Sequence, residues 1–61
     1  MITAVIPTLN EEDFIAEAIR RVSFADEILV IDSFSSDKTV EVARDAGAKV
    51  VQRKFDDFST Q

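Results

Sequence analysis

The sequence contains no cysteine and no histidine. Without cysteine there is no disulfide and no thiolate metal site. Without histidine, zinc sites and histidine-based general acid–base catalysis are excluded, which leaves carboxylates and lysines as the ionisable catalysts. A single glycine can complete neither Gly-x-Gly-x-x-Gly nor Gly-x-x-x-x-Gly-Lys-Ser/Thr, so dinucleotide oxidoreductases and P-loop enzymes are excluded as well. Basic residues are sparse and scattered: 7 Lys plus Arg stand against 12 Asp plus Glu, a formal charge of −5. That sign repels phosphate backbones, and no nucleic-acid partner is expected. An acidic chain can still bind a nucleotide diphosphate when a divalent cation bridges carboxylates to phosphates. No apolar run is long enough to span a bilayer, and Met1-Ile2-Thr3-Ala4 lacks the basic start of a signal peptide. Residence in the cytoplasm or at the inner face of the cytoplasmic membrane is the expectation. The length, 61 residues, permits one small domain or part of a larger one. A domain of that size buries only about 60% of the surface its unfolded chain exposes.

What is present is an alternation of strand and helix patterns. Ile2 to Ile6 is a short β-branched run stopped by Pro7, expected to be a strand buried on both faces. A helix is predicted next, with Asn10 as cap, Asp13 in the capping-box position and Leu9 stapled to Phe14. Phe14, Ile15, Ala18, Ile19 and Val22 form its apolar face, and Arg20 and Arg21 suit its last turn. Glu27 to Ile31 is the clearest strand, ending at Asp32, and a polar loop with Phe34 as a core plug follows. A second helix is predicted over about 37–46, capped by Ser36 or Asp37, with Val40, Ala43 and Ala46 inward and Gly47 as its left-handed C-cap. Ala48 to Gln52 is a more polar third strand, expected at an edge. The order β-α-β-α-β implies an α/β fold with a three-stranded parallel sheet, ordered third-second-first.

In an open parallel sheet, ligands gather beyond the carboxyl ends of the strands. Two segments occupy that edge, Pro7 to Glu12 and Asp32 to Asp37. Pro7 stiffens the backbone without needing a donor partner. Asp32 is an acceptor at a strand end, suited to a base N–H or a ribose hydroxyl, and Glu11 is a second acceptor from the opposite loop. Each also has a plain structural reading. Asn10 suits a helix cap, Glu12 and Asp37 suit first helical turns, and Asp32 can simply end a strand. Phe55 and Phe58, which flank Asp56-Asp57, are expected to pack at the exit of the third strand.

Val5-Ile6-Pro7-Thr8-Leu9-Asn10-Glu11-Glu12 resembles the opening motif of the inverting family 2 glycosyltransferases. Glu27 to Thr39, a strand ending in Asp followed by a Ser/Thr-Asp-x-Thr turn, resembles their second motif, and the spacing between the two also fits. Phe55 to Gln61 is similar to the branch that resembles lipopolysaccharide-core glucosyltransferases. The resemblance implies a GT-A fold, with residues 1–61 as the amino-terminal, nucleotide-binding half of the domain. It implies a nucleotide-sugar donor, a UDP-sugar in the first instance, and a glycan or lipid-linked acceptor in cell-envelope polysaccharide synthesis. It places Pro7, Thr8, Leu9, Glu11, Asp32 and Ser33 at the nucleotide. Many members carry an Asp-Asp pair where this chain has Asp32-Ser33, and either residue is a candidate for the base contact. The Asp-x-Asp motif for Mn²⁺ or Mg²⁺ and the general base are expected beyond residue 61, so this segment alone is expected to be inactive. The competing reading is a self-contained nucleotide-binding or regulatory α/β module. A further expectation concerns the first strand. With no Lys, internal Pro or bulge to blunt it, its free edge is expected to promote self-association.

Overall fold

A computed structural model describes residues 1–54. Its elements are β1 (Thr3–Thr8), α1 (Ile15–Arg21), β2 (Glu27–Asp32), α2 (Thr39–Asp45) and β3 (Lys49–Gln52). The strands form one parallel sheet in the order β1-β2-β3, the expected arrangement. Thr8 pairs with Asp32 and Asp32 with Gln52, so the carboxyl ends of all three strands lie in one row.

Both crossovers step the same way along the sheet, and right-handed crossovers of that kind put both helices on one face. The core reflects this arrangement. Ile15 and Ile19 of α1, Val30 of β2, Ala43 of α2 and Ala48 are buried together, with Ile6, Ile28 and Val50 packed against them. Even-numbered strand residues therefore face the helices. The odd-numbered ones form an open face on which Val5 is 53% exposed and Val51 44% exposed. The expectation that β1 is buried on both faces is corrected, because among the described residues helices cover only one side.

β1 also runs two residues further than expected, through Pro7 to Thr8. The carbonyls of Ile2 and Thr8 both accept N–H groups from the β2 side, from Glu27 and Ser33 respectively. Even residues of β1 thus turn their backbone groups toward β2 and odd residues turn theirs to the outer edge. Proline's missing N–H falls on that edge, where no ladder bond is lost. The same fact corrects the account of the edge: Pro7 lies inside β1 and removes one of its outward donors.

α1 starts at Ile15, with no side-chain cap. Asn10 is not its cap; it takes a left-handed φ of 55°. The turn into the helix is made instead by the Glu11 carbonyl, which accepts the N–H groups of Phe14 and Ile15, each at 2.9 Å. Asp13 forms no capping box, and Leu9 and Phe14 stay largely exposed instead of forming a staple. α2 is shorter than expected at both ends, and Ala46 is exposed. Phe34 is not a core plug: it is 54% exposed, with φ 59°. The expectations for Phe55, Phe58 and the residues up to Gln61 lie outside the described residues.

Gly47 performs as expected. At φ 99° it lets Ala48 N–H reach the Ala43 carbonyl (3.1 Å) and Gly47 N–H reach that of Arg44 (3.0 Å). Ala43 and Ala48 meet in the core, the apolar contact that accompanies this terminator. A Cβ at Gly47 would meet nothing within 4 Å, so the cost of Gly47→Ala is conformational only. It is expected to destabilise the fold by about 1–2 kcal/mol, and Gly47→Asn by less. Urea unfolding checks both, and equal midpoints for wild type and Gly47→Ala would contradict the assignment.

Candidate functional site

The strand ends carry a polar row on the helix side. Thr8, at 3% exposure, and Asp32, at 0%, are its buried members. The Asp32 carboxylate accepts the Thr8 hydroxyl (2.7 Å) and the Ser35 hydroxyl (2.5 Å) on Oδ1. On Oδ2 it accepts Ser35 N–H (2.8 Å) and the Gln52 amide (3.3 Å). A carboxylate offers about four lone-pair sites, and here four donors fill them. Burial acts to raise the Asp32 pKa. The hydroxyl and N–H of Ser35, then the Thr8 hydroxyl and the Gln52 amide, outweigh burial and hold the carboxyl below its ordinary value of 3.8. Asp32 is therefore an ionised clasp joining β1, β2, β3 and the β2–α2 loop.

Beyond that row the β1–α1 and β2–α2 loops are laced together. Asn10 N–H donates to Ser35 Oγ (2.8 Å), Glu11 N–H to Thr39 Oγ1 (2.7 Å) and Glu12 N–H to Asp37 Oδ2 (3.2 Å). In return Ser36 N–H donates to Asn10 Oδ1 (2.8 Å) and Lys38 N–H to Glu12 Oε1 (2.8 Å). Asn10 and Phe34 stand two residues past Thr8 and Asp32, and both are left-handed. The two loops thus leave the sheet by the same kind of turn. Asp37 accepts both the N–H and the hydroxyl of Thr39. Desolvation acts to raise its pKa, and those bonds together with Glu12 N–H lower it overall.

The six residues assigned to the nucleotide by resemblance therefore divide into two groups. Thr8 and Asp32 face inward and bond each other. Pro7, Leu9 and Glu11 are exposed, and Ser33 is half-buried with its N–H on the Thr8 carbonyl (2.9 Å). Strand alternation puts Pro7 on the open face of the sheet, opposite the Thr8–Asp32 row. Ser35, Thr39 and Gln52 were missed as site residues. The in-register pairing of Thr8 with Asp32 was the available signal that both would point the same way. A groove of about 420 Å³ lined by Phe34, Gln52, Arg53 and Lys54 opens at the ends of β2 and β3, and Pro7, Leu9 and Glu11 lie outside it. Among the described residues no group of three His, Cys, Asp or Glu could hold a metal ion.

Residues 3–59 match the model of glycosyl transferase family 2. An uncharacterized glycosyltransferase of Rickettsia bellii is 53% identical over 55 residues, 88% of this chain and 19% of its own length. A glucosyl-3-phosphoglycerate synthase of Mycolicibacterium paratuberculosis is 43% identical over 58 residues, 87% of this chain and 18% of the relative. The crystal structure of glucosyl-3-phosphoglycerate synthase from Mycobacterium tuberculosis in complex with Mn²⁺ and UDP-glucose superposes with a TM-score of 0.77 at 40% identity. That match covers 85% of this chain and 20% of the synthase. The chain thus spans about a fifth of the length of the relatives it matches.

The clasp has a pH signature. The folded-state pKa of Asp32 is depressed, so its contribution is complete above the unfolded value near 3.8 and is lost as pH falls through the folded value. Asp32→Asn removes that component, and its loss of charge-assisted bonds is expected to cost about 1.5–3 kcal/mol at neutral pH. Unfolding free energies of wild type and variant should converge as pH drops below 4. A gap that stays constant from pH 7 to pH 2 would show that Asp32 is not an ionised clasp.

Proposed function

The chain belongs to glycosyl transferase family 2, and from that premise we propose that it supplies the nucleotide-binding half of the GT-A domain of an inverting transferase that uses a UDP-sugar. The observation that carries the reading is the 40% identity to a synthase seen with UDP-glucose. Pro7 and Leu9 offer apolar surface to the uracil, and Ser33 and Glu11 offer hydrogen bonds to the base edge and ribose. Asp32 and Thr8 hold the strand ends beneath and do not touch the nucleoside, since every lone pair of Asp32 is already engaged. Ser33 therefore takes the base contact.

The diphosphate is not held at the start of α1. The N–H groups of Asn10, Glu11 and Glu12 are all committed to the other loop, and the exposed side chains there include Glu11, Glu12 and Asp13. A divalent cation, Mn²⁺ or Mg²⁺, would neutralise the charge of the diphosphate when bound. The described residues do not form its site.

For the acceptor we propose a glycan or lipid-linked saccharide of the cell envelope, on the resemblance of Phe55 to Gln61 to lipopolysaccharide-core glucosyltransferases. A second reading, a small phosphorylated acid, is favoured by the likeness to a synthase seen with phosphoglyceric acid.

Calorimetric titration of the full-length protein with UDP and with GDP, in Mn²⁺, tests the donor. UDP is expected to bind more tightly. Ser33→Ala should lose about 0.5–1.5 kcal/mol and Glu11→Ala about 1.5–3 kcal/mol of that affinity. Absence of UDP binding would reject the reading. Incubation with UDP-glucose and either phosphoglycerate or a lipopolysaccharide-core oligosaccharide, read by mass spectrometry, separates the two acceptors.

A further inference from the structure

Glu11 is exposed, yet its backbone is held more firmly than that of any neighbour in its loop. Its carbonyl accepts Phe14 N–H and Ile15 N–H, which start α1, and its N–H donates to Thr39 Oγ1 at the start of α2. The residue is pinned between two helix starts. The three successive N–H groups of this loop differ in their surroundings. Those of Asn10 and Glu12 make exposed bonds, in which water can replace the partner, whereas the Glu11 bond is partly buried and ends on a side chain of 0% exposure. The Thr39 hydroxyl has one proton, and it is committed to Asp37 Oδ1. That bond turns the oxygen lone pairs toward Glu11 N–H, and the bond from Thr39 N–H to the same carboxylate oxygen (2.9 Å) fixes the carboxylate in turn. A relay of Asp37, Thr39 and Glu11 thus runs from one loop into the other.

We propose that Thr39 is a positioning residue of the nucleotide site, acting through the Glu11 backbone and making no contact with ligand. The inference rests on the UDP-sugar reading above. Its consequence is specific: the Thr39 hydroxyl decides where the Glu11 side chain leaves the loop, and so matters to UDP only while that side chain is present. Thr39→Val keeps the shape and removes the acceptor, leaving the Glu11 N–H to seek water. Thr39→Ser keeps the acceptor and removes a methyl group.

The test is a double-mutant cycle on the full-length protein, with UDP in Mn²⁺ as the probe and calorimetry as the readout. Thr39→Val is expected to weaken UDP binding about tenfold, and Thr39→Ser to stay within about twofold of wild type. In a Glu11→Ala background, which is itself weakened, Thr39→Val should add no further loss. The same loss in both backgrounds, or unchanged affinity in Thr39→Val, would overturn the proposal and leave the UDP reading standing. A wild-type protein that does not bind UDP would overturn both. If Thr39→Val does not fold, Asp37→Ala serves in its place, because Asp37 is only half-buried. It frees the hydroxyl to rotate, and a loss of about two- to fivefold that vanishes in the Glu11→Ala background is expected. Persistence of that loss in the Glu11→Ala background would count against the relay.

Discussion

The carboxylate of Asp32 is the one charged group among the described residues with no exposed surface. A buried charge is costly unless it is fully hydrogen-bonded, so its surroundings have little freedom. Thr8 must end β1 with a hydroxyl facing inward, and Ser35 must turn its N–H and hydroxyl back toward the strand end. Gln52 must bring its amide from β3. Once Ser35 is placed, its Oγ is in position to accept Asn10 N–H, and Ser36 reaches Asn10 Oδ1. The Asn10 part of the lacing between the two loops is thus coupled to the burial of this one charge.

Neighbouring residues along a strand consequently have opposite duties. Thr8 and Asp32 spend their polarity on the fold, on the face covered by the helices. Pro7 stands on the opposite face, and Leu9, Glu11 and Ser33 beyond it keep surface available at the carboxyl edge. The buried row ties β1, β2 and β3 together at their carboxyl ends.

Much of the architecture was legible in the residues. Alternation of strand and helix patterns, together with crossover handedness, led to the parallel sheet and its order, and the lone glycine marked the end of α2. What was not legible shares one cause. The start of α1 was read from a local capping pattern around Asn10 and Asp13. Asn10 instead bonds a residue 26 positions away, a tertiary partner that local spacing does not reveal. Pro7 was read as a stop because its tolerance depends on which strand neighbours β1, and on which side. Asp32 was found at the right edge, but its inward direction follows from the register with Thr8 and from both helices packing on one face. Thr39 was visible only as part of a Ser/Thr-Asp-x-Thr turn, since its role lies in a contact with the other loop.

The central claim is that Asp32 supports the nucleotide site and does not read the nucleotide. A crystal structure of the full-length protein with UDP tests it most directly. The account requires Asp32 to keep its bonds to Thr8 and Ser35, with no UDP atom within hydrogen-bonding distance and with the Ser33 hydroxyl on the uracil edge. An Asp32 carboxylate turned out of its row and bonded to the base would contradict it.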